Sequence, residues 1–476
     1  MPSNTSGYVT DIPYLRDFKP MLAPAWLDHV ALVAGVEPPA RLDNFAWCDL
    51  GCGQGVTAAI LAATHPTGKF HGIDAMAVHI DHARRLAREA AIHNVYFHTT
   101  EFAEALGLRL PQFDYIVAHG VYTWIDGKGQ DALRRFIDQR LKPGGLVYLG
   151  YNAMPGWARD LPFQRLLREL ALGFPGDNAA RVAAAGGIIG LLAKAGVPAL
   201  AGSFIQRELE QRPEDYSPAY LVHEFMPAAW QPLYVTEVRT SMARIGLTPV
   251  GSATLSENSD CMVLSPEARS ALAAIKEPDT RELIRDFFLD QRFRCDVFAR
   301  SNRLLDANER VDRLLSTTFG LARPIQVINY TTKTPAGTVS YDYPATRAIV
   351  GALASGTRSL CGDPPIDWTP AEAVNAVLTL CAAGDVIPIE PRYAKVDKLN
   401  RVLCSRVDGP EEIRWLALPS GTAVEVDRAL MRLLRDTRDV DETHFPGWRR
   451  LLASHGLEIC VTPTCGDRAR PAIRPQ

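Results

Sequence analysis

Charge of one sign is nearly absent in excess: 51 Lys and Arg stand against 54 Asp and Glu, a formal net charge of −3. Without a global basic field, strong nonspecific nucleic-acid binding is not expected. Long hydrophobic runs are also missing. The most apolar stretch, Val182 to Ala193, lies between Arg181 and Lys194 and is too short to span a bilayer, so stable membrane insertion is not expected. Its alanines and glycines suit a loosely packed soluble helix. No signal-peptide core opens the chain, which points to a cytoplasmic protein. Cysteine is odd in number, at nine, and no C-x-x-C pair occurs. That excludes a zinc ribbon and argues for reduced thiols over a disulfide framework; no metal site is expected. Repeats and low-complexity tracts are lacking too. What remains is globular: 47% hydrophobic and 22% charged residues over 476 positions, enough for roughly two to four domains.

From about 45 to 151, short apolar runs alternate with segments of helical period. Phe45–Leu50, Phe70–Ile73, Val95–Phe97, Tyr115–Ala118 and Leu146–Tyr151 read as strands. Between them Met76, Ile80, Ala83, Leu86 and Ala90 recur at helical spacing, as do Leu133, Phe136, Ile137 and Leu141 before a Pro143-Gly144-Gly145 turn. Alternation of this kind builds a parallel, doubly wound sheet. Residues 160–245 look mainly helical. Strands at Leu247–Leu255 and Cys261–Leu264 are candidates to complete the sheet, and 266–318 reads as a second helical block. Its capping signals are Ser265-Pro266-Glu267 and Asp279 with Glu282. Further on, Thr369-Pro370-Ala371-Glu372 opens a helix that Gly384 ends, with a strand at Val386–Ile389. Helices followed by a short strand pair fit a winged-helix-like module. The helix Ala371–Ala383 has no Lys or Arg, so packing or dimerisation suits it better than DNA reading.

The chemistry is carried by Asp49-Leu50-Gly51-Cys52-Gly53-Gln54-Gly55, which closes a strand and precedes a helix. Gly51 and Gly53 let the backbone turn tightly and approach a ligand, and Gly55 leads into a helix whose free N–H groups favour an anion. Dinucleotide enzymes favour G-x-G-x-x-G; the G-x-G-x-G spacing here fits the methionyl carboxylate of S-adenosylmethionine. Asp74 ends the next strand, 19 residues after Gly55, where an acid accepts hydrogen bonds from ribose hydroxyls. Its bland alternative is a helix N-cap. Ala75 follows it on the same rim. Glu101, with Phe102 beside it, follows the third strand near the adenine position, or is simply a solvated acid. Cys48 and Cys52 read as buried small residues, Cys52 within the binding loop.

The fourth strand ends in Ala118-His119-Gly120-Val121-Tyr122-Thr123-Trp124-Ile125, at the strand ends where ligands collect in this fold. No Asn/Asp-Pro-Pro-Tyr tetrad and no Pro-Cys nucleophile is present, which argues against adenine N6, glutamine amide and cytosine C5 methylation. His119 stands where a metal-dependent catechol enzyme would want a carboxylate. It is a candidate to orient the cofactor or accept a proton, or to brace the loop. Tyr122 and Trp124 are candidates for an aromatic wall against a cation, or for ordinary core. Tyr151-Asn152-Ala153-Met154-Pro155-Gly156-Trp157 leaves the fifth strand on the same rim, with Tyr151 and Asn152 as candidate catalytic groups on a substrate or cofactor lip.

Three blocks, Asp49–Gly55, Ala118–Trp124 (AHGVYTW) and Tyr151–Trp157 (YNAMPGW), resemble the bacterial methyltransferases that carry a methyltransferase regulatory domain. That group includes protein-lysine methyltransferases. Tyr220–Phe225 (YLVHEF) is similar to the start of the regulatory region, which continues through Arg292–Arg294; with Tyr8 and Pro13-Tyr14 the similarity spans about the first 300 residues. The C-terminal third is similar only loosely. The resemblance implies S-adenosylmethionine as cofactor, a class I core, and extra helical domains that help form a homodimer and shape the cleft. It also implies that Tyr8 or Tyr14 closes over the cofactor. His223-Glu224 are neighbours at i, i+1, which do not share a helix face, and read as structural or interdomain.

The expected fold is therefore α/β: a doubly wound, Rossmann-like class I methyltransferase core with additional helical and small C-terminal α+β (winged-helix-like) domains. The expected partition is 1–157 for the core with an N-terminal cap, 158–245 for a helical insertion or the start of the regulatory region, and 246–265 for strands that are candidates to complete the sheet. A helical regulatory region at 266–325 and a C-terminal domain at 326–476 follow. The expected activity is methyl transfer from S-adenosylmethionine to an amine nitrogen, with a protein lysine implied by the resemblance. Alternatives are a small metabolite or surface-polymer sugar as acceptor, an inactive S-adenosylmethionine-binding scaffold, and a nicotinamide-dependent oxidoreductase on the same sheet.

Overall fold

A computed structural model describes residues 14–40, 44–200, 218–361, 368–390, 394–437, 440 and 443–457. Seven strands form one sheet in the order β3-β2-β1-β4-β5-β7-β6: β1 Ala46–Leu50, β2 Lys69–Asp74, β3 Val95–Thr99, β4 Phe113–His119, β5 Leu141–Asn152, β6 Thr248–Ser252 and β7 Phe293–Ala299. The first five run parallel, and β7 lies antiparallel to both β5 and β6. Apart from the irregularity at Phe113, strand residues alternate between two buried faces. Trp47, Tyr115, Val117, Leu146 and Tyr148 pack with α1 (Pro24–Val33), α2 (Val56–Thr64) and α3 (Ala77–Glu89). Cys48, Ile116, Ala118, Val147, Leu149 and Tyr151 face α4 (Phe102–Ala105) and α5 (Gly127–Arg140) instead. Both faces are covered, as a parallel sheet requires. The strand order reverses between β1 and β4, which opens a crevice at their carboxyl ends.

Four local expectations are corrected. Pro143-Gly144-Gly145 is no turn ahead of a strand; β5 begins at Leu141 and absorbs the tripeptide as an irregularity in its pairing with β4. Cys261–Leu264 is not a strand, since Asp260–Val263 forms a single helical turn. The cap of the helix Pro278–Leu289 is Glu277, whose carboxylate accepts from the N–H groups of Asp279 and Thr280, rather than Asp279 itself. Most consequential, the expected helical block contains β7, which inserts between β5 and β6 and completes the sheet. Ser265 and Thr369 do cap their helices as expected, Thr369 within a full capping box with Glu372.

β7 escapes a reading of hydrophobic pattern because its inward face is charged. Arg294 is buried and bonds Asp286 at 2.5 Å, Glu282 at 2.8 Å and Asp296 at 2.9 Å. Asp296 also accepts the Tyr151 hydroxyl at 2.7 Å. Cys295 and Val297, on the opposite face, join the apolar core. Burial pushes the Asp286 carboxyl up to about 7 even with Arg294 against it.

Beyond β5, the helices α6 (Leu161–Leu172), α7 (Asn178–Lys194) and Pro218–Phe225 enclose a core of their own around Trp124, Trp157, Phe163, Val222 and Trp230. The C-terminal third places strand Thr318–Leu321 antiparallel to Val386–Ile389, with helices Pro344–Leu353 and Pro370–Ala382 between them in sequence. The hairpin Thr331–Thr334/Gly337–Ser340 stands between the first strand and those helices, and no third strand joins the pair among the described residues. Its core is continuous with the α1–α3 face: Phe319, Ile349, Leu380, Leu418 and Leu452 belong to the same cluster as Trp47 and Ile60.

Removing Arg294 strands two buried carboxylates without a counter-charge. Arg294→Met is expected to cost about 3–5 kcal/mol of stability, read as a lower urea midpoint.

Candidate functional site

The three loop glycines all adopt positive φ (82° at Gly51, 51° at Gly53, 71° at Gly55), which side chains rarely tolerate. Their surroundings differ. A methyl on Gly51 would lie 2.3 Å from Val121, and one on Gly55 2.5 Å from Ala83 and 2.7 Å from Phe97. Those two positions are packed against protein. At Gly53 nothing lies within 4 Å, so this peptide alone of the three opens onto free space. Gly51 and Cys52 donate to the Ile73 carbonyl at 2.8 and 3.1 Å, tying the loop to the end of β2. Gly55 caps α2 without a side-chain acceptor.

Asp74 sits opposite that opening. Its carboxylate accepts from Gly53 N at 2.9 Å and Met76 N at 2.8 Å, and lies 3.2 Å from His79 Nδ1. It therefore caps the turn into α3 and holds the glycine loop at once. Asp49 is buried behind it. Burial, and then the neighbouring charge of Asp74, raise its carboxyl from the usual range to about 8. The same two causes push the Cys52 thiol well up. Ala75 is exposed in the β2–α3 turn. Glu101 is half-buried at the N-cap of α4, and Phe102 starts that helix against the core of the α5 face.

The ends of β4 and β5 rearrange several candidates. His119 is half-buried, with Nδ1 2.7 Å from the Tyr148 hydroxyl and its ring against Phe293. Burial chiefly, with the Lys19 charge adding to it, pulls the imidazole down to about 3. An imidazole held that low is a weak base that stays unprotonated at ordinary pH, which favours the bracing, hydrogen-bonding role over that of a proton acceptor. Tyr122 and Trp124 form no wall. Tyr122 is buried under α5, its hydroxyl 3.0 Å from Ser241 and accepting from Arg134 at 2.6 Å; Trp124 packs among the helices beyond β5. Tyr151 points into the sheet core onto Asp296, so it is no part of a lip. Asn152 does face the crevice side: its backbone N–H donates to Thr123 Oγ1 at 3.1 Å and its Nδ2 to Glu224 at 2.8 Å. The Pro-Gly turn that follows clamps onto the segment before β7. Trp157 donates to the Arg292 carbonyl at 2.9 Å, and the Arg292 guanidinium lies 4.1 Å over its ring.

Tertiary structure adds His79, His223 and Glu224, and seats Tyr14, already singled out by the resemblance, over the glycine loop. The N-terminal arm crosses the glycine loop at Tyr14, whose N–H donates to His79 Nε2 at 3.0 Å and whose carbonyl accepts from Gln54 at 2.5 Å. The Tyr14 ring meets His223 edge-on at 5.1 Å, and His223 lies 6.5 Å from His79. Glu224, next in the same helix, turns instead to Asn152 and Trp230. The divergence is what an i, i+1 pair must show: His223 meets the arm over the glycine loop, and Glu224 is buried against the end of β5. His79 carried no signal of its own in the sequence, because it is one more polar residue on an amphipathic helix. Tyr8 lies outside the described residues.

The folded protein keeps Asp49 protonated at a pH where the unfolded chain has lost that proton, so stability falls as pH rises from 3.8 towards 8. Asp49→Asn has no proton to lose. It is expected to be more stable than the parent by about 1–3 kcal/mol at the upper end, the gap narrowing as pH falls, in urea unfolding at several pH values. For the loop, Gly53→Ala costs backbone strain of about 1–2 kcal/mol, while Gly51→Ala also drives its methyl into Val121 and unfolds at lower urea.

The family model described as a methyltransferase domain matches residues 48–147, and that described as a predicted methyltransferase regulatory domain matches residues 217–300. The chain is 30% identical over 465 residues to the uncharacterized protein sll1526 of Synechocystis sp., covering 95% of this chain and 92% of that protein. A shorter match, 31% identical over 149 residues, pairs 31% of this chain with 57% of the uncharacterized protein RP028 of Rickettsia prowazekii. Among solved structures, PKMT2 from Rickettsia typhi in complex with AdoHcy shares the fold with a TM-score of 0.68 at 18% identity, over 89% of this chain and 88% of that one. With a glycine loop, a strand-end acid and a sheet of this order in the matched segments, the chain belongs to the class I S-adenosylmethionine-dependent methyltransferases that carry a methyltransferase regulatory domain.

Proposed function

We propose that the crevice transfers the methyl group of S-adenosylmethionine to an amine nitrogen, with a protein lysine as the acceptor. The N-terminus of α2, reached across the open side of Gly53, would receive the methionyl carboxylate. Asp74 would take the ribose hydroxyls. Its Oδ1 already meets Met76 N and His79 Nδ1, but Oδ2, which accepts from Gly53 N, has a second lone pair to offer. Glu101 stands at the adenine end. When bound, the cofactor supplies an electrophilic methyl on a sulfonium. The protein's share is then to align the nitrogen, exclude water and leave the nitrogen unprotonated.

The observation that carries the amine reading is that two carboxyls, Asp74 beside the glycine loop and Glu224 at the end of β5, flank the crevice. The neighbouring cations are committed elsewhere: Lys19 pairs with Asp17 at 2.6 Å and Arg292 with Asp160 at 2.5 Å. His119 adds no positive charge. Such a field favours an ammonium acceptor over an anionic one. The likeness of fold to PKMT2 over most of both chains supports a polypeptide lysine as the source of that ammonium.

Incubation of a bacterial extract with the protein and methyl-labelled S-adenosylmethionine is expected to put label into protein, recovered as methyl-lysine after hydrolysis. Label confined to the dialysable fraction overturns the protein acceptor. Asp74→Ala is expected to weaken S-adenosylhomocysteine binding about tenfold or more, the size of lost charged hydrogen bonds, in calorimetry.

A further inference from the structure

Glu224 lies in the last turn of the helix Pro218–Phe225 and is buried. Its two hydrogen bonds, from Asn152 Nδ2 at 2.8 Å and Trp230 Nε1 at 3.3 Å, both fall on Oε1. Among the described residues no hydrogen bond reaches Oε2. Asn152 is the last residue of β5 and is fixed by Thr123 from the loop after β4. Glu224 is thereby held at the carboxyl ends of the two strands beside the crevice, one oxygen anchored and one unengaged.

The charged and titratable groups around it come from every neighbouring element. Tyr14 faces it from the N-terminal arm, Arg292 from the segment before β7, and His223 from its own helix, with His79 of α3 behind His223. Arg292 is spent on Asp160 at 2.5 Å and on the Gly156 carbonyl at 2.8 Å. Burial raises the Glu224 carboxyl to about 7, against the lowering effect of Asn152, Trp230 and Arg292. A group so placed exchanges its proton near neutrality, where a lysine ammonium, with an ordinary pKa of about 10.4, does not.

We propose that Glu224 takes the proton from the acceptor ammonium, with Asn152 and Trp230 holding its other oxygen in place. The inference rests on the amine reading above. The ammonium N–H bond breaks and its proton moves to Oε2, leaving a neutral amine. The nitrogen lone pair then forms the bond to the methyl carbon as the carbon–sulfur bond breaks, and S-adenosylhomocysteine departs. Glu224 returns its proton to water.

The test uses the full chain and Glu224→Gln, whose side-chain oxygen can keep the bonds from Asn152 and Trp230. Two quantities are read: S-adenosylhomocysteine affinity by calorimetry, and methyl transfer to poly-L-lysine between pH 6 and 10. Glu224→Gln is expected to hold S-adenosylhomocysteine within about threefold and to transfer methyl about 100-fold more slowly at pH 7. The deficit should shrink towards pH 10, where lysine loses its proton unaided. Equal rates at pH 7 overturn the proposal and leave the amine reading standing. Loss of S-adenosylhomocysteine binding also overturns it, making Glu224 a cofactor anchor. A wild-type protein that binds S-adenosylhomocysteine but labels no amine overturns the amine reading, and this proposal with it.

Discussion

A single buried guanidinium connects the parts of this protein. Arg294 cannot sit in the sheet without partners, because an unpaired charge there would cost several kcal/mol. Its partners come from two directions: Glu282 and Asp286 from the helix Pro278–Leu289, and Asp296 from its own strand. Asp296 in turn takes the Tyr151 hydroxyl from β5. The docking of β7 beside β5 is thus tied to the seating of the helix before it. The residue after Tyr151 is Asn152, which holds Glu224. Sheet closure and the geometry of the crevice are therefore consequences of one charge cluster.

The crevice is assembled from segments far apart in the chain. The Asp49–Gly55 loop and Asp74 form one wall. The N-terminal arm covers the loop at Tyr14, and the helix Pro218–Phe225 brings His223 and Glu224 to the other wall. The arm is itself held from the far end of the chain: Trp415 donates to Asp17 at 2.7 Å and Arg16 to the Pro410 carbonyl at 2.9 Å. Arg406 bonds Glu89 on α3 at 2.6 Å, and Arg85 pairs with Glu411. The C-terminal third thus helps position the cover of the site.

How much of this was legible in the sequence depends on what each residue's signal consisted of. Gly51, Gly53, Gly55 and Asp74 announce themselves because their role is local: a backbone turn and a strand-end acid need no distant partner. The aromatic residues behave otherwise. Tyr122, Trp124 and Tyr151 stand at strand ends that point to ligands, yet each is drawn into an apolar core or onto a buried polar partner, because large side chains gain most from burial. His119 keeps its predicted place and is turned from proton chemistry towards bracing, since desolvation decides the charge and only the packed structure sets desolvation.

The sequence by itself determined the parallel sheet, the position of the glycine loop and the strand-end acid, because periods of 2 and 3.6 residues and glycine spacing are local properties of the chain. It also determined the family, through blocks that lie on those elements. The tertiary structure alone decided that Gly53 is the open peptide of the loop and that a charged segment becomes the strand closing the sheet. It alone brought Glu224 to Asn152 across 72 positions. Those outcomes turn on which groups are buried together, and burial is a property of the fold rather than of any stretch of sequence.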